Sequence, residues 1–275
     1  MKIAGMNITY RYFPFEHFLD SMTRLEVDQI ELWAGEPHFY VYRGGLNRLR
    51  RIKQELKARG MRVVCYTPEQ CVYPYNIASS DPQLRQKSID YFIENLYAAL
   101  ELNTDMMLVT SGIGDFHLSP EESWKYASDS IYQLSRVAQQ EGVTLALEPL
   151  TRFESNLITD VQGVKRMMDE VGSSALQGMI DTVAMQLAGE RPEDYFSHLP
   201  GLCHFHLIDG DGTSDAHLAL DDGQLNWREY LTSLESCGYE GTCTLEIMGF
   251  NYYQSPHDTV MHSIRKIREL GILSS

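Results

Sequence analysis

The chain has 275 residues, enough for one large α/β domain with a sizeable core, and its 43% hydrophobic and 22% charged residues exclude wholesale disorder. No stretch approaches the roughly 20 apolar residues of a spanning helix, so no membrane partner is expected. With 23 basic against 38 acidic side chains the formal net charge is -15, a field that repels a phosphate backbone and argues against nucleic acid as a partner.

The start, MKIAGMNITYRYF, lacks the apolar core and cleavage site of a secretory signal, so a cytoplasmic location is expected. From there β-branched runs alternate with longer stretches of helical period, and strands are predicted at 3–8, 29–33, 62–66, 106–110, 144–148, 177–181, 203–208 and 242–247. Asp81-Pro82 and Ser119-Pro120 place a side-chain oxygen at a helix start and a proline in the first turn, and Glu122 completes a capping box with Ser119. Gly142 and Gly238 supply helix stops directly before the fifth and eighth strands. Eight βα units without a linker or low-complexity tract predict an α/β fold, a single (β/α)8 TIM barrel over 1–275.

Five cysteines (Cys65, Cys71, Cys203, Cys237, Cys243) form no CxxC pair, so neither a disulfide framework nor a thiolate zinc site is expected. Cys65, Cys203 and Cys243 read as small buried hydrophobes within strands. The longest βα loops, 34–45, 67–81 and 209–223, build the active face of such a barrel. Trp33, His38, Phe39, Tyr40, Tyr73, Tyr75 and Asn76 lie there or at its edge, an aromatic and polar wall suited to a sugar.

Four residues of metal-binding type end the last four predicted strands or stand within them: Glu148 in LALEPL, Asp181 in GMIDT, His206 in HFHLID and Glu246 in TLEIMG. Side chains alternate along a strand, so Glu148 shares an inner face with Ala146, His206 with His204, and Glu246 with Thr244, while Leu145, Leu147, Cys203, Phe205, Cys243 and Leu245 pack outward on the helices. Each of the four taken singly also reads as a salt-bridged acid, a helix cap or a core histidine. Together at one barrel mouth they predict a site for one divalent ion, with Mn, Co, Ni, Mg and Zn all compatible. An ion holding two adjacent substrate oxygens would acidify the carbon beside a carbonyl. Two glutamates on different strands could then remove a proton from one side and return one to the other, which makes Glu148 and Glu246 the expected catalytic pair.

These strand ends resemble the xylose isomerase-like barrel family of sugar isomerases and epimerases, whose metal is held by Glu, Asp, His and Glu on strands five to eight. Glu154 in LEPLTRFESN matches a family glutamate that hydrogen-bonds substrate beside the reacting carbon. The segments IELWAGEPH, YTPEQCVYPYN, LEPLTRFESN, HFHLIDGDGTSDAH and GYEGTCTLEI are similar to the branch that epimerises fructosamines. The resemblance spans nearly the whole chain and implies C3 epimerisation of fructoselysine to psicoselysine through a cis-enediolate. The expected substrate contacts are Glu154, His204, Trp33, His38, Tyr66, Asn76, Asp209 and His217.

Two departures bear on the substrate. A histidine common three residues after the metal aspartate is replaced by Ala184, and an arginine common six residues after the metal histidine by Gly212, which makes free ketohexoses less secure substrates. The loop carrying Asp209, Asp211, Asp215 and His217 is acidic and suits a protonated sugar amine, although Asp and Gly also simply build turns. Other readings are another ketose epimerase, an aldose-ketose isomerase, an inosose-type dehydratase or a non-catalytic sugar-binding protein. Tyr252, Tyr253 and Phe13 are candidate contacts of a homo-oligomer.

Overall fold

The computed structural model describes residues 1–272 and closes eight parallel strands into a barrel in sequence order. They are β1 (Lys2–Met6), β2 (Gln29–Ala34), β3 (Arg62–Pro68), β4 (Met106–Val109), β5 (Thr144–Leu147), β6 (Leu176–Asp181), β7 (Leu202–His206) and β8 (Thr242–Leu245). The ring shuts where β1 pairs with β8, with Ile3 opposite Cys243 and Ala4 opposite Thr244. Parallel neighbours need a crossover, and helices supply it: α1 (Phe15–Arg24), α2 (Gly45–Ala58), α3 (Pro82–Glu101), α4 (Pro120–Glu141), α5 (Val161–Val171), α6 (Thr182–Ala188), α7 (Pro192–His198), α8 (Trp227–Ser236) and α9 (Pro256–Glu269).

The expected punctuation is in place. Asp81 accepts from the Gln83 and Leu84 amides at the start of α3, Ser119 and Glu122 form a reciprocal capping box on α4, and Gly142 takes the left-handed conformation (φ 72°) that ends it. The first strand is shorter than predicted, because 7–10 turn into a 3-10 helix. There the Asn7 side chain brackets Trp33, accepting from its amide at 2.7 Å and donating to its carbonyl at 3.0 Å, so a side chain replaces the next rung of the ladder.

Alternation sorts the side chains. Ile30 and Leu32 of β2 join the large apolar cluster shared with the helices, whereas Gln29 and Glu31 reach hydrogen-bond partners on Thr242 and His204. Across the barrel, Cys65, Leu108, Ala146 and Met179 form a small apolar cluster of their own. Cys203 departs from its expected outward packing. The register of β6 on β7 shifts between Gly178 and Met179, and Cys203 lies against that smaller cluster.

Candidate metal centre and substrate cavity

Glu148 and Glu246 stand one residue beyond β5 and β8, and Asp181 and His206 are the last residues of β6 and β7. One ligand atom from each lies within 4.8 Å of the others. His206 Nδ1 is 3.0 Å from Glu148 Oε1, 3.0 Å from Glu246 Oε2 and 4.0 Å from Asp181 Oδ2.

Two orphaned atoms test whether this group fits a cation. Asp181 uses Oδ1 to accept from the Val183 and Ala184 amides at the start of α6, but its buried Oδ2 has no hydrogen-bond partner. His206 Nδ1 is close to both glutamates yet off hydrogen-bond alignment, and it too is buried without a partner. Unpaired buried polar atoms are costly, and one divalent ion would satisfy both. Three carboxylates and one imidazole are a donor set that such an ion accepts.

The electrostatics agree. Burial pushes Glu148 up to about 8, with His206 opposing that shift and Glu246 and Asp181 adding to it. Burial also raises Asp181. Burial works against a charged His206, but Glu31, Glu246 and Glu148 outweigh it and hold the imidazole well above its usual value. Without a cation the cluster retains protons instead.

Glu31 was not singled out by the sequence reading, yet it lies directly behind this group. It is fully buried, with Oε2 2.6 Å from His204 Nε2 and its oxygens 3.0 and 3.1 Å from His206 Nε2, and it accepts from the Thr67 hydroxyl. Burial disfavours its charge, but the two histidines reverse the effect and hold its carboxyl well below the usual range. The available signal was a carboxylate flanked by apolar residues in the strand QIELWA, since a charge there must find partners.

Above the cluster opens a cavity of about 200 Å³. Its wall includes Glu148, Asp181 and Glu246 together with Trp33, Glu154 and His217, all expected from sequence, and Ala184. Arg11 and Glu69 also line it and were missed; the Arg11 guanidinium lies 5.3 Å over the Trp33 ring, and Glu69 accepts from Trp33 Nε1 at 2.8 Å. Burial, reinforced by Asp215, raises Glu154 to about 7. His217 Nδ1 is 3.6 Å from Glu246 Oε2 and Nε2 is 3.8 Å from Asp215 Oδ1. Burial opposes its charge, but Asp215, Glu246 and Asp181 prevail and push its pKa up to about 10, which favours its protonated form in the cation-free site.

The remaining expected substrate contacts lie elsewhere. Tyr66 donates its hydroxyl to Asn95 of α3, on the outer side of β3. His38 is buried between the Asn7 side chain and the Phe13 carbonyl, and His204 directs Nε2 onto Glu31. Asp209 accepts from the amides of Gly210, Asp221, Gly223 and Leu225, so it organises its loop. Asp211 likewise accepts from the Thr213 and Ser214 amides, whereas Asp215 lies 3.8 Å from His217 of the cavity wall. Asn76 lines a neighbouring cavity with Tyr73 and Phe153. Among the described residues no helix is long and apolar enough to cross a membrane.

Comparison with known proteins accords with this geometry. Residues 19–270 match the family model described as xylose isomerase-like TIM barrel. The chain is 30% identical over 274 residues to fructoselysine 3-epimerase of Escherichia coli O157:H7, covering 98% of each. It is 25% identical over 263 residues to D-psicose 3-epimerase of Enterocloster bolteae, covering 89% of this chain and 83% of that one. Its fold superposes on a crystal structure of the IOLI protein with a zinc atom at a TM-score of 0.84 and 14% identity, over 100% of both chains. The chain belongs to the xylose isomerase-like TIM barrel family.

Proposed function

We propose, from that membership and the strand-end cluster, that this chain is a divalent-metal-dependent sugar 3-epimerase with a fructosamine such as fructoselysine as substrate. The observation that carries the reading is the pair Glu148 and Glu246, two carboxylates from separate strand ends in one cavity wall, beside the unpaired Asp181 Oδ2 and His206 Nδ1. Epimerisation needs two acid/base groups and a way to stabilise the charge between their two proton transfers.

Glu148, Asp181, His206 and Glu246 would hold the ion. A divalent cation bound there supplies Lewis-acid polarisation of substrate oxygens and stabilises developing negative charge. One glutamate takes the C3 proton, which leaves a cis-enediolate, and the other returns a proton to the opposite face. Glu154, raised to about 7, orients a substrate hydroxyl, and His217, when protonated, provides positive charge close to Glu246, a role that fits the absence of side-chain function at Ala184 and Gly212. Trp33 offers an aromatic face to the sugar. The full-length similarity to a fructoselysine 3-epimerase supports a sugar amine over a phosphosugar.

The deciding experiment is incubation with fructoselysine, psicoselysine and free ketohexoses in deuterated water, with and without chelator. Deuterium at C3, fastest on the sugar amine and abolished by chelator, is expected. Label at C1 alone, loss of water by mass, or full activity in chelator would each overturn the reading.

A further inference from the structure

We propose that Glu31 is a positioning residue that fixes the tautomer and ring orientation of His206, and so sets how tightly the strand-end cluster holds a divalent cation. The inference rests on the reading of Glu148, Asp181, His206 and Glu246 as a cation site.

An ionised carboxylate only accepts hydrogen bonds, so each imidazole nitrogen bonded to Glu31 carries the proton. For His206 that nitrogen is Nε2, at 3.0 and 3.1 Å. When the site holds a cation the ring is neutral, and protonated at Nε2 it has its free lone pair on Nδ1, the atom that faces Glu148, Glu246 and Asp181 without a hydrogen-bond partner. Without the acceptor behind it, the ring could carry its proton on Nδ1 or turn about its side-chain bond, and either change removes the donor.

Glu31 is itself held in place. Its backbone pairs with Cys65 of β3, and its carboxylate accepts from the Thr67 hydroxyl and from His204 Nε2 at 2.6 Å. The His204 ring meets His206 edge to face, with centroids 5.2 Å apart at 82°, and braces its flank. A fully buried carboxylate is an expensive choice at a position whose neighbours include Cys65. Glu31, Cys65 and His204 are also close enough to grip an ion of their own. However, no nitrogen or oxygen of those side chains is left buried without a partner, in contrast to the cluster above them.

The test uses the full-length, metal-stripped protein titrated with Mn2+ by calorimetry, with circular dichroism to verify folding. Wild type should bind one Mn2+, and Glu31→Gln, which keeps the volume but leaves one acceptor oxygen for two imidazoles, should bind about 10- to 100-fold more weakly while folded. A folded Glu31→Gln with unchanged affinity overturns this inference alone. Wild type that binds no Mn2+ overturns the cation reading beneath it. Two Mn2+ in wild type falling to one in Glu31→Gln would also overturn the proposal, by making Glu31 a ligand. A readout independent of any variant is the long-range 1H–15N spectrum of wild type loaded with diamagnetic Zn2+. It should show His206 protonated at Nε2, and protonation at Nδ1 would overturn the proposal.

Discussion

Two groups of buried acids share one barrel interior, and they are built on opposite principles. Glu31 has an imidazole or hydroxyl donor at each oxygen, and its ionised form is favoured. A few ångströms along the same His206 ring, Glu148, Asp181 and Glu246 crowd together, two of them held above the usual carboxylate range and one with an oxygen unpaired. A satisfied buried charge belongs to the scaffold, whereas an unsatisfied cluster is poised for a ligand or for proton transfer. The histidine between them faces both ways, with Nε2 toward the scaffold and Nδ1 toward the site.

The largest expected effect breaks the pair of glutamates. Glu148→Gln and Glu246→Gln should each lower C3 deuterium exchange by about 10²- to 10⁴-fold, the usual contribution of a general acid/base, with native circular dichroism. Near-normal turnover in both variants would remove them from the chemistry.

Stability in chelator separates the two groups next. Removing Glu31 as Glu31→Ala strands two buried imidazoles and should cost about 3–5 kcal/mol in urea unfolding. Glu148→Gln removes a carboxyl whose charge burial disfavours in the cation-free cluster and should leave stability unchanged or higher. Equal losses in the two variants would erase the contrast. Added Mn2+ should then stabilise wild type by about 2.7 kcal/mol at a hundredfold excess over its dissociation constant, and much less in Glu148→Gln.

The pH dependence sharpens the same point. Glu148 is raised in the folded state from 4.5 to about 8, so the folded protein binds its proton more tightly than the unfolded chain does. In chelator this group's contribution to stability is therefore present below about pH 4.5 and is lost as pH rises toward 8. Unfolding curves across that interval should flatten in Glu148→Gln.

The smallest effect is the surface control at Asp221, which is hydrogen-bonded by Arg228, Lys266 and Trp227 and held well below its ordinary range chiefly by Arg228. Its depressed pKa has the opposite sign: the contribution is present at neutral pH and disappears in acid. Exposure and salt screening limit Asp221→Asn to under about 1 kcal/mol at pH 7 in the same unfolding assay.

The barrel was legible because alternation, caps and glycine stops are local signals that each act within a few residues. The four strand-end residues were legible for a related reason, since a charge at the end of an apolar strand violates the local pattern. Glu31 violates it too, but its partners lie on β3 and β7, far along the chain. Arg11 and Glu69 show no such violation, and only the pairing of β1 and β3 on either side of β2 brings them to Trp33.

The sequence by itself determined the order of eight βα units and which strand-end residues are candidate ligands, because burial cost and backbone geometry are decided locally. The tertiary structure alone decided which polar residues meet. Asp209 was spent on its own loop, Tyr66 turned outward, and His204 joined Glu31 behind the site, because the pairing of a buried polar atom depends on strand register and loop path across the whole ring.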